Sequence, residues 1–356
     1  MAKANITVIG SMNVDHFMIT DRLPDRGECF IANSYRKALG GKGGNVAIAI
    51  HRGCHRRPTD GSDTAAGFYG DELDISVRLI GAVGNDDAGS LYKKTLEDNG
   101  LDTSGVRMVD GVPTGTCFAI IEEDSRDNRL LGVLGANLTF SADSFARVED
   151  LGTGVPPDLV VAQLEINMEA IEQMLVTAGK AEIDVLMNPS PANHILLELY
   201  RFITHFVVNE TEAAIYSGLD VGEVQESNWH DIAKAFLAEG VKNVVITLGA
   251  AGAFYANERS SGHVPAFTVI PKDVTGAGDT FTGAYASEYV RQKRMQEDWD
   301  IEKAVIRACK ASALTVCTLG AQEGIPWANE IDGFTVNSDA ITTVEAGMSI
   351  QEGLTV

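Results

Sequence analysis

The chain has 356 residues, 45% of them apolar, enough for a sizeable core in one large domain or two. Its formal net charge of −22 argues against a nucleic-acid partner, which needs clustered Lys and Arg, but leaves a small anionic substrate open. No apolar run approaches the ~18 residues of a membrane span, no signal-like segment opens the chain, and the five cysteines form neither a CxxC pair nor a metal-like cluster, so a cytosolic, or cytosolic and nuclear, protein with free thiols is expected.

Residues 6–10 (ITVIG) form a short β-branched run that reads as a buried first strand. Asn13 and Asp15 follow where such a strand would leave the sheet. They alternate, so in an extended segment they point the same way and suit adjacent hydroxyls; a solvated loop is the plain alternative. No GxGxxG follows, so this is not a dinucleotide fingerprint. Residues 27–38 suggest one or two short strands of a small sheet outside the main fold.

Gly40, Gly41, Lys42, Gly43 and Gly44 form a loop that admits close backbone approach to a ligand, with Asn45 at the start of a helix. The spacing is not that of a Walker A loop. Residues 55–76 are polar and turn-rich and read as an insertion. Residues 77–84 return to strand, Asn85–Gly89 start a helix that ends near Asn99, and residues 114–121 and 129–133 look like a hairpin.

From about residue 157 strands and helices alternate regularly. Residues 158–162 end at Gln163 and Glu165; 183–187 at Asn188; 206–208 at Asn209 and Glu212; 243–248 at Gly249, Ala250, Ala251 and Gly252. Each polar or glycine motif follows an apolar strand, which predicts an α/β fold with all of them along one edge of a parallel sheet.

Residues 273–281 (DVTGAGDTF) then open a small-residue helix. Unpaired N–H groups at a glycine-rich helix start bind anions, so Asp279 there needs a reason. Either it acts as a general base beside an anion hole, or it is the N-cap of the helix. Helices are expected over 278–293 and 301–317, and the tail after Phe334 carries no readable function.

Together these motifs resemble the ribokinase/PfkB family of carbohydrate kinases over about residues 5–334. GGKGGN at 40–45 and DVTGAGDTF at 273–281 match its two signature regions. GSMNVD at 10–15, AQLE at 162–165, NETE at 209–212, TLGAAG at 247–252 and GAQ at 320–322 are similar to its ribose-phosphorylating members. The resemblance implies a three-layer α/β/α fold with a mostly parallel central sheet and a small β-sheet lid. The kinase domain would span 1–334, with lid strands at roughly 11–17, 27–38 and 113–134, and an extension of unknown role at 335–356.

The resemblance further implies ATP-dependent phosphorylation of D-ribose at its O5 hydroxyl. Carried over by position, Asn13, Asp15, Gly41, Lys42, Gly43, Gly44, Asn45 and Glu165 would hold the sugar, and Asp279 would be the base. Gly276, Ala277 and Gly278 would form the anion hole. Asn209, Thr247, Leu248, Gly249, Ala250, Ala251, Gly252, Gly278 and Cys309 would contact ATP, and Glu212 would serve Mg2+ indirectly. Asp273, Thr275, Thr315, Thr318, Gly320 and Gly324 match a loop that usually holds K+. A homodimer through the lid is also implied. The insertion and tail exceed the compact pattern, Cys309 stands where an adenine-side contact is expected, and Thr318 stands where a backbone carbonyl is expected. Kinases of another sugar or a nucleoside, and a non-catalytic sugar-binding relative, are the competing readings.

Overall fold

A computed structural model describes residues 3–58, 74–123 and 128–335; most of the 55–76 insertion and nearly all of the tail lie outside the described residues. The chain runs β1 (Ala4–Ile9), β2 (Asn13–Thr20), β3 (Ser34–Gly40), α1 (Lys42–Cys54), β4 (Ile75–Gly84), α2 (Asp87–Asp98), β5 (Asp102–Val109), β6 (Gly115–Glu122) and β7 (Asn128–Val133). It continues with β8 (Leu159–Ala162), α3 (Met168–Lys180), β9 (Asp184–Met187), β10 (His205–Asn209), α4 (Glu210–Ser217), α5 (Trp229–Ala238) and β11 (Asn243–Thr247). It closes with β12 (Ala253–Asn257), β13 (Ser261–Val264), α6 (Ala277–Met295), α7 (Ile301–Thr315) and α8 (Ala328–Gly333).

The central sheet has nine strands in the order β13-β12-β11-β10-β9-β8-β1-β4-β5. Every pairing from β11 through β5 is parallel, and β12 and β13 add an antiparallel edge. Both faces are covered, which is why the inner strands are largely apolar. In β8, Leu159 and Val161 enter one core while Val160 and Ala162 enter the other. The first core packs against α1, α2, α6 and α7, the second against α3, α4 and α5. This is the expected three-layer α/β/α arrangement.

Chain order reverses between β1 and β8. From β1 the chain builds outward through β4 and β5; from β8 it builds the other way. A crevice opens at such a switch point, outside the carboxyl ends of the strands. The segments leaving β1 and β8 there carry Ser11 to Asp15 and Gln163 to Glu165.

A second, four-stranded sheet in the order β3-β2-β6-β7 is separate from the first and is the small sheet expected as the lid. β2 pairs antiparallel with β3 and parallel with β6, and β6 and β7 form the expected hairpin. Of the one or two short strands expected over residues 27–38, one is present, at Ser34–Gly40. Ahead of it, Arg22 donates to the Glu28 carboxylate at 2.7 Å and the Asp25 N–H donates to the same group at 2.9 Å, tying the segment into a turn. Three strands of the central sheet, β5, β12 and β13, went unread in the sequence; all lie at its margins.

Candidate active site

Helix α1 begins directly against the end of β1. A Cβ on Gly43 would lie 2.5 Å from the Gly10 carbonyl carbon, so only glycine permits the approach. Gly41, the residue before the helix, has φ of 82°. Lys42, Gly43 and Gly44 are thus the first turn of α1 and not a loop leading to a helix at Asn45. The Gly44 N–H donates to the Ser11 carbonyl at 3.0 Å, and the Lys42 N–H donates to Glu165 Oε2 at 3.2 Å. Ser11 Oγ donates to the same carboxylate oxygen. Glu165 therefore serves the open start of α1. It does not cap α3, which begins after Asn167.

Two buried amides set the orientation of their neighbours. Asn137, wholly buried, accepts from the Met12 N–H at 2.9 Å and donates to the Met12 carbonyl at 3.1 Å and to Asn13 Oδ1 at 2.9 Å. With Oδ1 engaged, Asn13 has its Nδ2 to offer a ligand. Asn45 Nδ2 donates to Asp279 Oδ2 at 2.8 Å, while Asn45 Oδ1 accepts from Gln322 Nε2 at 2.9 Å. Neither Asn137 nor Gln322 was assigned a role from sequence; Gln322 lies in the GAQ run at 320–322.

The electrostatics are those of crowded carboxylates around one cation. Burial, then the charges of Glu165 and Asp279, raise Asp15 to about 6. For Lys42 burial works against the charge, but Asp279, Glu165 and Glu212 together outweigh it and raise its pKa. Carboxylates that accept and amides that donate suit a polyol, whose every hydroxyl does both.

Asp279 is 8% exposed and lies in the first turn of α6. The residue before the helix is Gly276, in the left-handed conformation at φ 80°, so Asp279 is not the N-cap. The Ala277 N–H turns back to Val274 at 3.3 Å, which leaves the Gly278 and Asp279 N–H groups at the open helix end. Beside them lies a cavity of about 460 Å³, lined by Thr247, Gly249, Ala250, Gly252, Gly278 and Cys309 together with apolar side chains that include Phe281 and Val316.

Three other candidates do not line this cavity. Leu248 packs in the second core. The Ala251 carbonyl meets His263 Nε2 at 2.7 Å. Asn209 caps α4: its Oδ1 accepts from the Glu212 N–H at 2.8 Å, and Glu212 Oε2 accepts from the Asn209 N–H at 3.0 Å.

The 272–276 segment lies against residues 315–324. Asp273 Oδ1 accepts from the Thr275 N–H and Oδ2 from the Gly320 N–H, each at 2.9 Å. The Thr315 hydroxyl turns inward to the Ala311 carbonyl at 3.0 Å. Gly324 lies over the Thr315 carbonyl, where a Cβ would approach to 2.6 Å. From the lid, Arg36 stacks over Phe17 and comes within 3.8 Å of Asp273. Among the described residues no three His, Cys, Asp or Glu side chains converge to hold a metal ion, and no helix is long and apolar enough to cross a membrane.

Residues 3–328 match the model of the pfkB family of carbohydrate kinases. A ribokinase of Staphylococcus aureus is 32% identical over 328 residues, covering 92% of this chain and 98% of the relative. A ribokinase of Schizosaccharomyces pombe is 33% identical over 333 residues, covering 92% and 97%. The crystal structure of a ribokinase from Thermotoga maritima superposes with a TM-score of 0.72 at 28% identity, covering 92% of this chain and 98% of that one.

Proposed function

The chain belongs to the pfkB family of carbohydrate kinases, and on that premise we propose that it transfers the γ-phosphoryl group of ATP to the O5 hydroxyl of D-ribose. The observation that carries this reading is the position of Asp279. It is held by Asn45 at the open start of α6, between a carboxylate- and amide-rich crevice and the 460 Å³ cavity. Ribose would lie against Asn13, Asp15, Glu165 and the first turn of α1. Asp279 would take the O5 proton as the hydroxyl attacks phosphorus, and the Gly278 and Asp279 N–H groups would stabilise the charge on the transferring group. ATP would lie in the cavity, its base against Phe281, Cys309 and Val316, beside the Thr247–Gly252 turn.

The residues also fit the two ions this reading calls for. Mg2+ usually rides on nucleotide phosphates with few protein ligands, and Glu212 stands in electrostatic range of Lys42 at the site. K+ would find the hard oxygens of Asp273 and of the main chain at Thr275, Thr315, Thr318, Gly320 and Gly324. The Thr315 carbonyl under Gly324 supports that cradle, and the inward Thr315 hydroxyl indicates carbonyl ligation. Such an ion would offset the charge of Asp273 behind the anion hole.

For the lid, the register turns His16, Phe118 and Leu131 to the side opposite Asp15, and Phe118 and Leu131 are exposed there. This apolar outer side supports a homodimer through the lid, in a cytoplasmic or nuclear enzyme.

An ADP-release assay over D-ribose, 2-deoxyribose, fructose, 2-keto-3-deoxygluconate and nucleosides tests the proposal. The highest kcat/KM is expected with ribose, falling when K+ is replaced by a bulky organic cation. Turnover confined to another sugar would replace ribose; sugar binding with no turnover would select the silent relative.

A further inference from the structure

Gln322 is 8% exposed and lies in the segment after α7, two residues beyond Gly320, whose N–H bonds Asp273. Its Nε2 donates to Asn45 Oδ1 at 2.9 Å and to the Tyr92 hydroxyl at 3.1 Å. The Tyr92 hydroxyl donates in turn to the Gly40 carbonyl at 2.5 Å. Its single proton is thereby committed, so it faces Gln322 as an acceptor. The Gln322 atom between Tyr92 and Asn45 must then be nitrogen, with one hydrogen for each.

That choice propagates. Asn45 must turn its carbonyl oxygen to Gln322 and its Nδ2 to Asp279, where it donates at 2.8 Å. The opposite orientation would set two donors against each other at Gln322 and two acceptors against each other at Asp279. With Oδ2 of Asp279 engaged, the other carboxylate oxygen remains for the sugar hydroxyl. Burial makes the orientation strict, because an unmade bond here has no water to replace it.

The main chain at Gln322 is held as well. Arg52 Nη1 donates to the Gln322 carbonyl at 3.0 Å and to the Ile325 carbonyl at 2.9 Å. Arg52 lies seven residues after Asn45, on the same side of α1. One helix therefore grips the 320–325 segment twice.

We propose that Gln322 is a positioning residue for phosphoryl transfer: through Asn45 it determines which oxygen of Asp279 is presented to the attacking hydroxyl. This rests on the kinase reading above. Gln322→Leu removes the donor, and Gln322→Glu keeps the shape but replaces the donor with an acceptor. Each is expected to lower kcat about 10–100-fold while KM for ATP stays within about twofold, as a misplaced group does. In an Asn45→Ala background, Gln322→Leu is expected to change kcat less than about twofold, because its route to Asp279 is already gone.

A readout free of turnover accompanies these rates. In the sugar-free protein the side-chain amide NMR signals of Asn45 should move in both Gln322 variants. Full kcat in Gln322→Glu, losses that multiply in the double variant, or unmoved Asn45 signals would each overturn the inference. If Gln322→Leu does not fold, the Glu variant carries the test. Should the wild-type protein fail to phosphorylate ribose while the Asn45 signals still shift, the substrate reading falls and the positioning of Asn45 stands.

Discussion

The two edges of the central sheet treat buried charge in opposite ways. At the amino edge the acid is well partnered. Asp184 accepts from Tyr289 at 2.7 Å, Lys293 at 2.6 Å and Thr204 at 3.1 Å. Although burial raises it, these bonds bring its pKa below the usual value. His205, wholly buried, meets the Tyr285 hydroxyl at 2.9 Å and lies against Tyr289 and Trp299. At the carboxyl edge Asp15, Glu165 and Asp279 share one lysine, and repulsion is left over. The first arrangement serves the fold. The second opposes it, which is expected where polar groups wait for a ligand.

The sharpest break of this contrast is Asp279→Asn. It should lower kcat about 10³-fold or more, while sugar binding measured by calorimetry changes little. Near-normal turnover would remove Asp279 from the role of base.

Asp15→Asn comes next. The native state holds the Asp15 proton up to about pH 6, against 3.8 for the free side chain, so between those values it binds more protons than the unfolded chain. Stability therefore falls as pH rises through this window, by about 3 kcal/mol at most. The Asn variant should be about 1–3 kcal/mol more stable than wild type in denaturant at pH 7, with the gain gone at pH 4, and should bind sugar more weakly. A variant less stable at pH 7 would contradict the picture of repulsion.

The amino edge has the reverse sign. Burial depresses His205 from 6.5 to about 3, so the native state binds fewer protons and stability falls as pH drops through that range. The loss is about 1.4 kcal/mol per pH unit, or about 2 kcal/mol between pH 6.5 and 5. His205→Gln should flatten this limb; an identical pH dependence in variant and wild type would rule His205 out as its source.

The smallest effect belongs to Arg36, which spans from the lid to Asp273. An exposed ion pair contributes about 1 kcal/mol at most, so Arg36→Gln should raise KM for the sugar no more than about fivefold without lowering Tm. A larger change would mean that the lid depends on this contact.

The contrast also bears on what was legible in the sequence. The inner strands could be read because both of their faces are buried and their residues are almost all apolar. β5 (DTSGVRMV) and β13 (SGHV) lie at margins that accept polar residues, and their pattern is lost in that mixture. The start of α1 was misread because glycine is a poor helix former; contact with Gly10 overrides propensity there. Asp15 and Glu165 could be read because they follow the ends of β1 and β8, whereas Asn45 was legible through the family's GGKGGN motif. Asn137 and Gln322 could not, since a buried amide takes its meaning from its partners. Asn13 lies 124 residues from Asn137, and Asn45 lies 277 residues from Gln322.

The clamp of Asn137 on Met12 and Asn13 has a mechanical consequence. It sits at the root of the lid, where β2 and β6 leave the body, and makes that root a fulcrum. Arg36 lies four residues from Gly40 at the same root, about 13 Å out at the rise of a strand. A swing of about 20° would then carry Arg36 some 4–5 Å, at that same rise per residue, and Asn13 scarcely at all. On the proposed reading, the groups that would recognise a sugar sit on the pin of this door and those that would shut it sit on the leaf, so access could vary while the geometry of recognition holds still.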